Sequence, residues 1–159
     1  QRVSCWDGMG FLSGDLMKEI LFIIVAMSSP SQHGIPQTIQ DSLTWEESRN
    51  KPMAKSGCNA RGLFQVRMSS LCRGCRNTSA GAQLLHIPSV SRHMGTYILS
   101  RWLRRAERIE KCKRCESAWR RALAAYNAGG VGLRLESSKA NKYASRVIRR
   151  ARRRGWKCG

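Results

Sequence analysis

The sequence predicts a mainly α, single-domain protein, and three observations carry that expectation. Apolar residues recur at helical spacing through five separate stretches. No stretch alternates apolar and polar residues convincingly, apart from a short pairing expected beside Gly62-Leu63-Phe64-Gln65. The length of 159 residues suits one domain able to bury roughly two-thirds of its unfolded surface. The expected division is an irregular N-terminal segment at 1–14 and one folded domain at 15–155.

The first helix is expected over 15–27, where Leu16, Ile20, Ile23, Ile24 and Met27 share a face. Its apolar run at 20–27 falls short of the about 20 residues that span a bilayer, so it reads as a core helix and no transmembrane segment is predicted. Asp15, Lys18 and Glu19 stand directly before that run, which argues against a secretory leader. The stretch from Ser28 to Gly34, with Pro30 inside it, breaks the helix.

Pro36 is expected as the first residue of a second helix, with Ile39 and Leu43 on its apolar stripe. Glu46 and Glu47 close that helix at opposite edges of the stripe, and periodicity alone does not separate them. Read only as residues, they are two surface acids at a helix end. A loop over 51–62 follows, marked by Pro52, Gly57, Asn59 and Gly62. The Gly/Ser/Arg-rich stretch at 69–81 reads as a cysteine-containing insertion.

Val90, Met94, Ile98, Trp102 and Ala106 repeat every four residues and predict a long amphipathic helix over 88–109. Trp119, Ala122, Leu123 and Tyr126 predict another, with Gly129-Gly130 as its C-cap. Tyr143, Val147, Ile148 and Ala151 predict the last. Its other face, Arg146, Arg149, Arg150, Arg152, Arg153 and Arg154, is expected to meet solvent and an anionic partner.

Lys and Arg total 29 against 10 Asp and Glu, a net charge of +19. Such an imbalance points to a polyanionic neighbour, be it nucleic acid, an anionic envelope or an acidic protein. A solvated basic face that keeps the chain soluble explains the same number.

Seven cysteines leave at least one unpaired. Cys72-x-x-Cys75 and Cys112-x-x-Cys115 have the spacing of a structural four-sulfur zinc site. Arg73, Arg76, Lys111, Lys113 and Arg114 surround them and would favour thiolates. Disulfides are the alternative in a protein working outside the cytoplasm, and the sequence leaves both open. His33, His86 and His93 have no triad-like context.

Three short blocks carry chemistry. Glu47-Ser48 ends the second helix, Gly62-Leu63-Phe64-Gln65 follows about fifteen residues on, and Ala124-Ala125-Tyr126-Asn127-Ala128-Gly129 comes much later. In this order and spacing they resemble the soluble lytic transglycosylase family, over roughly residues 20–150. Gly95-Thr96-Tyr97-Ile98-Leu99 is similar to a further helix of that family. The loop at 51–62 departs from the family by carrying Gly57, Cys58 and Asn59 where Pro and Gly are usual.

The resemblance implies a lysozyme-like, goose-type fold and a peptidoglycan substrate, with no cofactor for catalysis. It selects Glu47 over Glu46 as the catalytic acid. It implies that Ser48 orients the glutamate or the substrate, that Gln65 hydrogen-bonds sugar, and that Tyr126 and Asn127 contact the reacting unit or Glu47. Leu43, Phe64 and Tyr126 are expected walls around Glu47. Gly62, Leu63 and Phe64 complete the expected substrate-binding segment. In this family one glutamate protonates the bond between N-acetylmuramic acid and N-acetylglucosamine, then takes a proton from the muramic 6-hydroxyl. A 1,6-anhydro ring results.

The acid inventory fits a single-carboxylate reaction, because none of the ten acids lies between Ser48 and Ala106. Two-carboxylate hydrolysis would need a partner acid. The family and the charge together lead to an expected phage-virion enzyme acting in the host periplasm, with a bacterial periplasmic enzyme as the alternative. Other virion or secretion-machine proteins are its expected partners, alongside non-specific anionic contacts. The competing expectation is a basic zinc module that binds nucleic acid without catalysis.

Overall fold

The computed structural model describes residues 33–70 and 79–158. The expected segment at 1–14, the helix at 15–27, Cys72 and Cys75 lie outside those residues. Among the described residues there are five α-helices: α1 Gln37–Ser48, α2 Ser79–Leu84, α3 Pro88–Glu110, α4 Glu116–Leu133 and α5 Ser138–Arg153. A 3-10 turn at Met68–Ser70 follows the only β pairing among them, the isolated bridges Lys55 with Arg61 and Arg61 with Val66. The mainly α fold and the short pairing are as the sequence predicts. Helix α2 was not expected: it begins inside the stretch read as an irregular insertion.

These residues cluster into two compact units, one spanning 47–95 and the other 33–46 with 96–158. The unit boundaries fall inside α1 and inside α3.

In the second unit, α1 starts one residue later than expected. Pro36 stands just before it and its carbonyl accepts from Ile39 N at 3.0 Å and Gln40 N at 3.1 Å. The buried Gln40 side chain folds back to donate to Ile35 O at 2.8 Å, completing the cap. Ile39 and Leu43 are fully buried on the inner face of α1. Helices α4 and α5 pack closely because their facing positions are small: Ala118, Ala122, Ala124, Ala140, Ala144 and Ala151 are all at 0% exposure. Small side chains let helix backbones approach, and Val147, Ile148 and Leu123 fill the space between. Ser137 caps α5, its hydroxyl accepting from Ala140 N at 3.2 Å. Gly155, at φ 86°, turns the chain after α5 so that Trp156 meets Trp119 edge-on, with ring centroids 6.0 Å apart.

Two expectations need correction here. Gly129 does break the helix, with φ 61° and ψ −140°, but helical turns resume and run on to Leu133. That conformation is open only to glycine. It lets the resumed turns fold back tightly, so that a Cβ on Gly132 would lie 2.0 Å from Ala124 O. The basic face of α5 is also not simply presented to solvent. Arg146 and Arg150 pair with Glu46, Arg152 with Glu116, and Arg154 with Asp41. Arg149 and Arg153 are exposed and make no ion pair among the described residues. The acids that neutralise this face lie on α1 and α4, far away in sequence, so the helical pattern of α5 alone could not show them.

Candidate active site

Helix α1 ends because Arg49 and Asn50 take left-handed conformations, φ 55° and 59°, and the chain turns back with Lys51 N donating to Ser48 O at 3.1 Å. Glu47 therefore sits half-buried in the last turn of α1, and Ser48 is buried behind it. The loop beyond is tied by its own backbone and by one hydroxyl. Ser56 N donates to Ala60 O at 3.0 Å, and Ala60 N to Ser56 Oγ at 3.1 Å. Arg61 and Val66 exchange two backbone hydrogen bonds of 2.9 and 3.0 Å, closing a tight hairpin on Gly62-Leu63-Phe64-Gln65.

Within this unit the first two sequence blocks come together. The Ser48 hydroxyl donates to the Leu63 carbonyl at 2.9 Å, across fifteen positions of chain. On the other edge of the same peptide group, Phe64 N donates to Ser91 Oγ at 3.1 Å. Gly62, at φ 74°, passes so close to the end of the next turn that a Cβ would meet Leu85 O at 1.8 Å. Gly95 on α3 makes the matching recess, because a Cβ there would lie 2.2 Å from the Phe64 ring. Phe64 is at 0% exposure and Leu63 at 8%, so both are built into the interior of this unit.

Gln65 takes φ 46°, and its side-chain nitrogen donates to Ala54 O at 3.1 Å and Gly62 O at 3.0 Å. Both carbonyls demand a donor, so the amide orientation follows from chemistry, and both N–H groups are committed. Its Oε1 is the remaining acceptor of that side chain.

The third block lies in the second unit, on α4. Tyr126 is half-buried and Asn127 exposed, three and two residues before the Gly129 break. In the same unit Glu46 is tied up: Arg146 Nε lies 3.0 Å and Arg150 3.8 Å from its carboxylate, whose side chain is 7% exposed.

Cys112 and Cys115 are joined as a disulfide between α3 and α4, and Cys58 is also disulfide-bonded. Sulfurs bonded to each other are not thiolate donors, and Cys72 and Cys75 lie outside the described residues, so the four-sulfur zinc site is not shown. Among the described residues no group of three or more His, Cys, Asp and Glu is placed to hold a metal ion. Cys158 is a free, exposed thiol whose Sγ donates to Arg114 O at 3.1 Å. Burial and the neighbouring Glu116 push its pKa up, which keeps it a thiol. The histidines form no catalytic set: His33 meets Tyr97 edge-on, His86 Nδ1 lies 3.0 Å from Pro52 O, and burial lowers the His93 pKa.

Ser91 is the residue that sequence reasoning missed. A serine between Val90 and Met94, inside an apolar stripe, was the available signal, because a buried hydroxyl requires a partner.

The helical architecture and the joining of Glu47-Ser48 to the Gly-Leu-Phe-Gln hairpin define a lysozyme-like enzyme of polysaccharides. The chain belongs to the transglycosylase SLT domain family, whose model matches residues 26–148. Members of this family are peptidoglycan lytic transglycosylases, lyases that act on a polysaccharide. No curated protein matches the chain. Among the described residues no helix is long and apolar enough to cross a membrane.

Proposed function

We propose that the chain cleaves the β-1,4 bond between N-acetylmuramic acid and N-acetylglucosamine with Glu47 as its sole catalytic carboxylate, leaving 1,6-anhydromuramic ends. The observation that carries this reading is the hydrogen bond from Ser48 to Leu63 O, which fastens the helix end bearing Glu47 to the Gln65 hairpin. Glu47 first gives its proton to the departing glycosidic oxygen. As a carboxylate it then takes the proton of the muramic 6-hydroxyl, whose oxygen attacks the anomeric carbon and closes the ring. No water is consumed and the proton count balances. Gln65 accepts from the sugar through Oε1, and Tyr126 and Asn127 contact the reacting unit.

The pairing of Glu46 with Arg146 and Arg150 supports the choice of Glu47, because it already engages the Glu46 carboxylate in holding α5 against α1. The absence of any acid at 49–106 supports a single-carboxylate route. In a gel containing peptidoglycan, the wild type should clear a zone and Glu47→Gln should not. Clearing by Glu47→Gln contradicts the assignment.

We further propose that the enzyme is carried by a phage particle and opens the wall locally from the host periplasm. The net charge of +19 supports storage beside a polyanion. Mass spectrometry of purified particles tests this, and recovery only from a bacterial periplasm would favour the cellular enzyme. The rival reading, a basic zinc module, needs four thiolates, and two of the four sulfurs are bonded to each other.

A further inference from the structure

We propose that Ser91 is a positioning residue for the transglycosylase reaction, acting through the Leu63–Phe64 peptide that it grips opposite Ser48. The proposal rests on the reading of Glu47 as the catalytic acid. A peptide group is planar, so its C=O and N–H move as one body. Ser48 Oγ donates to the carbonyl edge at 2.9 Å and Ser91 Oγ accepts from the N–H edge at 3.1 Å. One tether would leave the plane free to swing about it; two on opposite edges fix its position and its tilt.

The residues on either side of this clamp are those to which the chemistry is assigned. Glu47 precedes Ser48, and Gln65 follows Phe64. Any tilt of the plane therefore shifts the Gln65 amide relative to the end of α1. Ser91 is at 0% exposure and Ser48 at 6%, so water does not stand in for either hydroxyl without opening the unit. Packing alone does not call for a serine at 91, since its neighbours Val90 and Met94 are buried apolar residues that alanine would suit equally. Alanine would instead remove the acceptor that the buried Phe64 N–H meets at 3.1 Å. Gly62 brings the hairpin up to this hydroxyl, since a Cβ on Gly62 would lie 2.7 Å from Ser91 Oγ.

The test compares wild type, Ser91→Ala and Ser91→Thr in the full chain, by steady-state cleavage of soluble peptidoglycan fragments and by amide hydrogen exchange at Phe64. Ser91→Ala should lower kcat about 10- to 100-fold with KM changed little, the loss expected for a misplaced reacting group. Its Phe64 amide should exchange faster while amides of α4 and α5 stay protected. Ser91→Thr, which keeps the hydroxyl, should restore both. Wild-type kcat in folded Ser91→Ala overturns the proposal, as does unchanged exchange at Phe64. Parallel losses in the Ala and Thr variants that follow their melting temperatures also overturn it, leaving Ser91 a packing residue. A wild-type protein that cleaves nothing fails before any variant is compared and removes the Glu47 reading itself, so the two failures are distinct.

Discussion

Arg146 of α5 holds Glu46 of α1 by its Nε at 3.0 Å, on a carboxylate whose side chain is only 7% exposed. Arg150 adds a second cation at 3.8 Å and stacks over Trp45, 4.9 Å from the ring centroid. Neighbouring helix positions point about 100° apart, so this pairing is specific to position 46.

Glu46→Gln should accordingly change stability and spare catalysis. Because Arg146 is half-exposed, the lost pairing should cost about 1 kcal/mol in chemical denaturation. Cleavage should stay near the wild-type rate. A collapse of cleavage with stability intact would hand the catalytic role to Glu46.

Gly62→Ala should be among the most damaging single changes outside the acid itself. The new Cβ meets Leu85 O at 1.8 Å on a backbone at φ 74°, so steric overlap and left-handed strain add to roughly 2–4 kcal/mol. Gly95→Ala should act likewise through the Phe64 ring. Melting curves and cleavage rates check both, and wild-type values for either would mean that the hairpin does not press on Leu85 and α3 as described.

Much of this was legible in the sequence. The helical stripes of α1, α3, α4 and α5 showed in their periodicity, and the three blocks led to the family. What stayed hidden was set by partners distant in the chain. Nothing local shows that Glu46 is paired until α5 brings Arg146, 100 positions later, against it. Ser91 looks like a gap in an apolar stripe until Phe64 N is seen to need it. Gly129 was recognised as a helix breaker, but local pattern gave no reason for the chain to resume and fold Gly132 back onto Ala124. The charge of α5 suggested an open basic face because the acids that meet it lie on other helices.

Acid should loosen the junction of α3 and α4. Arg121 hydrogen-bonds Glu110 and also donates to Leu133 O at 3.0 Å, and this contact holds the Glu110 carboxyl below its ordinary value. A depressed carboxyl pKa gives stability that is present above the ordinary glutamate range and is lost as pH falls through the depressed value. Glu110→Gln should therefore narrow the difference in melting temperature between neutral and strongly acidic solution. An unchanged pH dependence would remove this pair from the account.

Peptide mapping without reductant should recover Cys112 and Cys115 in one linked fragment. Replacing both by serine should cost about 2 kcal/mol or less, because a bond closing so short a loop restricts the unfolded chain little. Cleavage should persist in that double variant. One equivalent of tightly held zinc, with both thiols free, would contradict the disulfide.

The central claim is that Glu47 alone carries proton transfer in a reaction without water, and mass spectrometry of digested peptidoglycan tests it most directly. Wild-type products should carry 1,6-anhydromuramic ends, lighter by one water than the reducing ends of a hydrolase. Glu47→Gln should abolish them, a loss of at least about 10²–10⁴-fold for removing the acid-base group. Reducing ends from the wild type, or anhydro products at full yield from Glu47→Gln, would contradict the account.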